Sequence, residues 1–230
     1  MELAWKPLMK AHLLCIPCTL RSAYDIAVKA TNNENLQRII VAETLKWLNN
    51  SAESLMNSCP AALHTYVFRL AQKISGNIDP FLRLKRESNK SAMKLASLLR
   101  KECNNVSDDE AFKLAAIGAT CGNAIDFEVE GHQVPMEGLE NSLLDCVRSR
   151  LTIDDTNKLT RLLLKAKIIL YLPDNAGEIA LDRLFVEVLA KRCSARIVAA
   201  VKSGPILNDA TMEDALEVGL NDVAEVITTG

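Results

Sequence analysis

The sequence has 230 residues, of which 49% are hydrophobic and 24% are charged, enough to bury a core in one large domain or two smaller ones. Its 27 Lys and Arg and 29 Asp and Glu give a formal net charge of -2, and 4% of the residues are aromatic. This composition argues against nucleic-acid partners, which favour basic surfaces and aromatic stacking. The most apolar stretch, residues 162–173, contains two lysines and is shorter than the roughly 20 residues of a membrane span, so we expect no membrane partner.

The seven cysteines show no spacing typical of a disulfide framework, and this predicts reduced thiols in a cytoplasmic protein. Cys15 and Cys18 form a C-x-x-C pair that follows His12. These three soft ligands are one fewer than a structural zinc site normally uses, and the sequence has no second C-x-x-C pair. We therefore expect two buried thiols here, and we predict that neither cysteine binds a catalytic metal.

Residues 1–150 are predicted to form an α-helical domain. Capping boxes at residues 31–34 and 107–110 indicate two helix starts, and apolar residues follow them at helical spacing. Gly76 indicates the end of a helix, and Asp79, which precedes a proline, indicates the start of the next one.

Residues 151–230 are predicted to form an α/β domain, because helices and strands alternate in this part of the chain as in a parallel, right-handed sheet. The first strand is apolar throughout, which predicts burial on both of its faces. The third strand ends the sequence without a covering helix, so we expect the α/β domain to be truncated at its C-terminus and the chain to be a piece of a longer protein. The predicted helices cover residues 153–165, 178–192 and 211–219, and the predicted strands cover residues 167–172, 195–201 and 225–228.

Polar side chains follow the first two strands of the predicted sheet. Asp174 and Asn175 follow the first strand, and Asp209 lies in the loop after the second. The carboxyl ends of parallel strands meet at one edge, so these three residues could supply hard oxygen ligands to a divalent cation such as magnesium or manganese. The alternative is that Asp209 or Asn208 only caps the following helix and that Asp174 only caps the preceding one.

Further polar residues near this edge have both a functional and a structural interpretation. Lys202 and the helix N-terminus at Gly177 could bind phosphate, or the lysine could simply be solvated. Glu178 could act as a base, or it could favour the helix start through the helix dipole. Asn123 and Asp126 could reach the site from the end of an apolar helix, or they could form a helix C-cap and turn.

Five motifs in this order resemble the metal-dependent damage-control phosphatases, also known as domain of unknown function 89. They are CIPC at 15–18, ISGNIDPFLRLKRESNK at 74–90, GNAID at 122–126, LPDNAGE at 172–178 and VKSGPILNDAT at 201–211. The resemblance covers essentially the whole chain, and CIPC is similar to the archaeal and bacterial subgroup.

The resemblance implies an α-helical domain packed on a Rossmann-like α/β domain. It implies that manganese, cobalt or nickel is bound by Asp174, Asn175 and Asp209, with Asn123 and Asp126 near the substrate. The implied reaction is hydrolysis of phosphate monoesters of damaged or surplus metabolites, such as sugar phosphates or phosphopantetheine derivatives. It also implies a lysine- and glycine-rich substrate loop that would follow residue 230.

The reaction that we predict is therefore hydrolysis of a small phosphomonoester. The metal would polarise the phosphoryl group and the attacking water, Lys202 and the amides near Gly177 would bind phosphoryl oxygens, and Glu178 or Asp126 would transfer protons. Asp174 could instead act as a nucleophile. Two other hypotheses remain open, a methyltransferase on the same type of sheet and a metal- or metabolite-binding module without turnover.

Overall fold

A computed structural model describes residues 9–124, 136–149 and 151–230 of the protein. Two compact units divide the chain, Met1–Phe81 and Leu82–Gly230. None of the described helices combines the length and the apolar character that crossing a membrane would require.

The described part of the first unit contains α1 (Cys15–Ala30), α2 (Glu34–Leu55) and α3 (Pro60–Ser75). Leu48, Leu55 and Leu63 are buried together in a small apolar core. Trp47 stacks on Tyr66 with ring centroids 3.9 Å apart, which joins α2 to α3. The described residues of the first unit thus form helices and the turns between them, with no strand.

The helix ends follow the predicted signals with one exception. Gly76 ends α3 with a left-handed φ of 74°, as predicted. Ser107 and Glu110 exchange hydrogen bonds as the predicted capping box requires. The box predicted at 31–34 is wrong, because the side chain of Asn33, not that of Thr31, accepts the two backbone N–H groups at the start of α2.

The second unit contains helices followed by alternating strands and helices. Its strands are parallel and adjacent in the order β1, β2, β3, so the predicted α/β class is confirmed. The truncation of the sheet stays a prediction. The elements are α4 (Leu82–Asn104), α5 (Asp108–Ala124), α6 (Met136–Arg148), α7 (Thr156–Leu163), β1 (Ile168–Tyr171), α8 (Glu178–Ala190), β2 (Arg196–Val201), α9 (Met212–Glu217) and β3 (Glu225–Thr228), with a short 3₁₀ turn at Leu220–Asp222.

Helix α8 is the centre of the second unit, because it packs on α4, α5 and the sheet. Phe185 of α8 contacts Phe112 of α5 with ring centroids 5.5 Å apart, and it also contacts Tyr171 of β1. Helices α4, α5 and α6 therefore share one apolar core with the α/β elements. The predicted boundary near residue 150 separates the part of the chain before α7 from the part that contains the strands. The compact units divide elsewhere, between Phe81 and Leu82.

The burial predicted for the first strand is wrong on one face. Ile168 and Leu170 are 63% and 60% exposed, whereas Ile169 and Tyr171 pack against the core. The physical reason is that α8 covers only the face carrying the second pair, while the first pair points the other way in the alternation of a strand.

The cysteines also depart from the sequence-based prediction. Cys121 of α5 and Cys146 of α6 form a disulfide across 25 residues, although the sequence predicted reduced thiols throughout. Their Cα atoms are 6.0 Å apart, a separation that tertiary packing sets and that the sequence does not reveal. In the first unit, Cys18 is exposed and Cys15 is half-buried, so the prediction of two buried thiols is wrong as well.

Candidate functional site

Backbone hydrogen bonds join the two loops at the carboxyl edge of the sheet. The N–H of Ala210 donates to the carbonyl of Asp174 at 2.8 Å, and the N–H of Ala176 donates to the loop after β2. Asn175 and Asp209 form an isolated antiparallel bridge between the same loops. The predicted residues Asp174, Asn175 and Asp209 therefore lie on backbone segments that are paired with each other.

Neither acid of this set, Asp174 or Asp209, caps a helix. Thr211 caps α9, and its side chain and that of Asp214 form a capping box with the backbone N–H groups. Gly177 occupies the N-cap of α8, where no side chain accepts a capping hydrogen bond. The alternative interpretation of Asp174 and Asp209 as helix caps is therefore wrong.

The carboxylates at this edge lie close enough to influence one another. The Asn175 Nδ2 atom donates to Asp174 Oδ2 at 3.2 Å and to Glu178 Oε2 at 3.4 Å. Burial, followed by the charge of Asp174, raises the pKa of Glu178. Burial also raises the pKa of Asp209, and the Lys202 ammonium group, 3.3 Å from Asp209 Oδ2, opposes this effect.

The donor atoms of this cluster have the chemistry of a hard-cation site. Asp174, Asn175 and Asp209 offer carboxylate and amide oxygens, which suit magnesium and manganese. The Asn175 amide group lies between two acids, because it donates to both Asp174 and Glu178. Within the described ranges, no group of three or more His, Cys, Asp and Glu residues is arranged to hold a metal ion.

The amide of Gly177 is already occupied, which corrects the prediction that it binds substrate. Its N–H donates to Asn89 Oδ1 at 2.7 Å, and its φ of 86° requires glycine. Asn89 is fully buried on α4, and its Nδ2 donates to Asp214 Oδ1 at 2.9 Å and to Glu217 Oε2 at 2.8 Å. One buried side chain thus connects the turn before α8 to the helix after the second loop.

Lys85 and Asp214 form a buried ion pair beneath the same loops, with Nζ and Oδ2 3.2 Å apart. Burial alone would raise the pKa of Asp214, but hydrogen bonds from Thr211 and the nearby Lys85 and Asn89 lower it overall. The sequence analysis missed Lys85, Asn89 and Asp214. Its only available signal was the i,i+4 spacing of Lys85 and Asn89 on one face of an amphipathic helix.

A second buried pair lies behind Glu178 and was also missed. The Tyr171 hydroxyl donates to Asp182 Oδ1 at 2.6 Å, and Asp182 is 3% exposed. Burial, the main cause, and the charges of Glu178 and Asp174 raise the pKa of Asp182 to about 7, although the hydrogen bond from Tyr171 acts in the opposite direction. Both residues of the pair line a cavity of about 400 Å³.

A cavity of about 750 Å³ lies elsewhere, between α5 and the residues around the end of α6. None of the predicted site residues lines it, and its described walls carry Glu110, Arg148 and the Lys113–Asp154 ion pair beside apolar residues. The predicted acids lie instead at the carboxyl edge, which is therefore the candidate site.

The remaining predicted residues lie at or beyond the end of α5. Gly122 approaches α8 so closely that a Cβ atom there would be 3.2 Å from Glu178 Cγ. Asn123 follows on the last turn of α5, next to the residue that contacts Glu178. Asp126 lies outside the described residues, so its position near the substrate stays a prediction.

Comparisons with known proteins agree with these motifs. Residues 11–230 match the family model described as the damage-control phosphatase ARMT1-like domain. A damage-control phosphatase of Archaeoglobus fulgidus is 35% identical over 223 residues, which cover 96% of this chain and 75% of that protein. A damage-control phosphatase of Pyrococcus horikoshii is 33% identical over 222 residues, which cover 96% of this chain and 74% of that protein.

A solved structure has the same fold. The crystal structure of a DUF89 family protein from Pyrococcus horikoshii superposes with a TM-score of 0.85 and 33% sequence identity, covering 96% of this chain and 74% of that one. The match extends through both the helical and the α/β parts of the sequence. The chain therefore belongs to the damage-control phosphatase ARMT1-like (DUF89) family.

Proposed function

We propose that this protein is a divalent-metal-dependent phosphatase that hydrolyses small phosphomonoesters, such as damaged or surplus phosphorylated metabolites. The names of its relatives support phosphatase activity. The hard oxygen donors at the carboxyl edge support a metal ion, which Asp174, Asn175 and Asp209 would hold. Manganese, cobalt, nickel and magnesium are all candidates.

The observation that carries this proposal is that the acids at the carboxyl edge do not cap the helices beside them. Thr211 and Asp214 cap α9, while Gly177 occupies the N-cap of α8. Asp174 and Asp209 therefore have no helix-capping role. Lys202 pairs with Asp209, and a divalent cation would offset the remaining negative charge of the cluster.

Each residue of the site would have a distinct role in hydrolysis. When bound, the metal ion supplies positive charge to a phosphoryl oxygen and lowers the pKa of the attacking water. Lys202, beside Asp209, would donate hydrogen bonds to other phosphoryl oxygens. Burial raises the pKa of Glu178, and this residue would transfer protons during hydrolysis. Asp126 is a second candidate for this proton transfer.

Phosphate release from a panel of phosphomonoesters tests the proposal. The protein is treated with a chelator and then assayed alone and with manganese, cobalt, nickel or magnesium. We expect turnover of at least one ester that depends on added metal. Failure to release phosphate with every metal would reject the phosphatase, and binding of S-adenosylmethionine by calorimetry would then favour a methyltransferase.

Asp174 also lies at the end of a strand, where some phosphatases place an aspartyl nucleophile. The stereochemical course at a chiral phosphorus distinguishes the two mechanisms. Direct attack by water inverts the configuration at phosphorus, whereas attack by Asp174 followed by attack of water on the aspartyl phosphate inverts it twice and so retains it.

A further inference from the structure

The cavity of about 400 Å³ adjoins the candidate metal site. Glu178 lines this cavity and also accepts the hydrogen bond from Asn175 Nδ2. Glu178 therefore borders both the carboxyl edge and the cavity. The lining comes from α5, from the residues at and before α7, from β1 and from α8: Ala116, Ala119, Thr120, Leu151, Asp155, Thr156, Leu159, Tyr171, Glu178, Asp182 and Phe185.

One buried carboxyl group that lines the cavity has an oxygen without a hydrogen-bond partner among the described residues. Asp182 Oδ1 accepts the hydrogen bond from Tyr171, but Asp182 Oδ2 has no hydrogen-bond partner among the described residues. Buried polar atoms are almost always paired, because an unpaired one loses its hydration without compensation. A donor on a bound ligand would supply the missing partner when the Asp182 carboxyl group is ionised.

The charge of the residues that line the cavity favours a positively charged ligand group. Asp155, Glu178 and Asp182 contribute three carboxyl groups, and none of the described residues that line the cavity is Lys, Arg or His. Asp155 occupies the N-cap of α7 without making a side-chain capping bond, so its carboxylate is not committed to the helix. A carboxylate or a second phosphate in this cavity would be repelled, whereas an ammonium group would be attracted.

We propose that this cavity binds the end of the substrate opposite the phosphate, and that this end carries an amine on a short apolar linker. The inference rests on the proposed phosphatase function and names its substrate class, an aminoalkyl phosphomonoester. Ala116, Leu159 and Phe185 would contact the linker, and Asp182 with Asp155 would receive the ammonium group.

A matched series of ligands tests this class. The compounds are 4-aminobutyl, 4-hydroxybutyl and 3-carboxypropyl phosphate, together with the corresponding phosphonates, which resist hydrolysis. We expect kcat/KM, and the affinity of the phosphonates measured by calorimetry, to be highest for the amine and about tenfold or more lower for the carboxylate. Equal values across the series, or a preference for the carboxylate, would overturn the inference.

Two variants locate the effect in the cavity. Thr120→Phe adds a large side chain at an exposed position of the lining, and Asp155→Asn removes a charge without changing its shape. Both should reduce the preference for the amine over the carboxylate. Ser97→Phe is the matched control, because Ser97 is also exposed on a helix and, like Thr120, donates its hydroxyl to the carbonyl four residues earlier.

The outcomes separate this inference from the proposed function. Hydrolysis of the whole series at equal rates rejects the amine site and leaves the phosphatase intact. If no compound is hydrolysed, the affinities of the phosphonates still test the inference, because measuring them does not require turnover. Retention of the full amine preference by both Thr120→Phe and Asp155→Asn would also overturn it.

Discussion

At the scale of single residues, Gly177 and Asn89 hold the turn between β1 and α8. The positive φ of Gly177 is strained for any other residue, and its N–H is held by a buried amide. Gly177→Ala should therefore lower the free energy of unfolding by about 1 to 3 kcal/mol. Thermal or urea unfolding measures this change.

Gly204→Ala is the control for this substitution, because a Cβ atom at Gly204 would meet nothing within 4 Å. It should change stability by less than about 0.5 kcal/mol, as surface substitutions usually do. Equal losses in the two variants would show that the Gly177 conformation is not a constraint on the turn.

Asp182 should give the protein a measurable pH dependence of stability. Its folded pKa of about 7 lies above its ordinary value of 3.8, so between these values the folded protein holds a proton that the unfolded chain has released. Stability is therefore fully present below about pH 4 and falls as the pH rises to about 7, by roughly 1.4 kcal/mol for each unit of pKa difference.

Comparison of wild type with Asp182→Asn isolates this contribution. The neighbouring groups Tyr171, Glu178 and Asp174 are present in both proteins, so their own titrations largely cancel. The stability of wild type relative to the variant should decrease between about pH 4 and pH 7. Parallel stability curves over this range would contradict a raised pKa at Asp182.

The sequence allowed us to predict site residues that are placed by their local position after a strand. It did not reveal the residues that are placed by contacts with distant parts of the chain. Asp174, Asn175 and Asp209 follow strands, so their place at the carboxyl edge could be deduced from the alternating pattern. The pairing of Asn89 with Gly177 spans 88 residues, and that of Lys85 with Asp214 spans 129. No local pattern encodes such partners.

At the scale of elements, the disulfide between α5 and α6 should contribute to stability. Closing a loop across 25 residues restricts the unfolded chain, which corresponds to roughly 3 kcal/mol. The double variant Cys121→Ala/Cys146→Ala should lose about this amount in urea unfolding without reductant, whereas Cys193→Ala, at a half-buried free cysteine, should lose less.

A count of thiols checks the same bond directly. Denatured, unreduced wild type should react with a thiol reagent at five cysteines, and reduced protein at all seven. Seven reactive thiols before reduction would show that Cys121 and Cys146 are not joined.

In the α/β part, the positions of the helices and strands could be predicted better than the burial of their faces. The apolar run before Pro173 predicted β1, and the turn residues after it predicted the start of α8. The exposure of Ile168 and Leu170 could not be deduced, because an apolar strand has the same sequence whether one or both faces are covered. Which faces are covered depends on the packing of whole elements.

At the scale of the whole molecule, the proposed activity needs a helical part and an α/β part that share one core. Helices α4 and α5 pack on α8, and through Asn89 and Gly122 they contact the turn and first helical turn that carry the acids. Helices α4 and α5 therefore help to position the site, although they supply none of the predicted metal ligands.

The most direct test of the account is phosphate release as a function of manganese concentration. The proteins are wild type, Asp209→Asn and the control Glu213→Gln, which removes an exposed acid four residues further along the chain. We predict that Asp209→Asn raises the manganese concentration needed for half-maximal activity by about tenfold or more, while its melting temperature stays near that of wild type. Glu213→Gln should leave the manganese dependence unchanged. Unchanged manganese dependence in Asp209→Asn, or equal activity of wild type with and without metal, would contradict the proposed metal-dependent phosphatase.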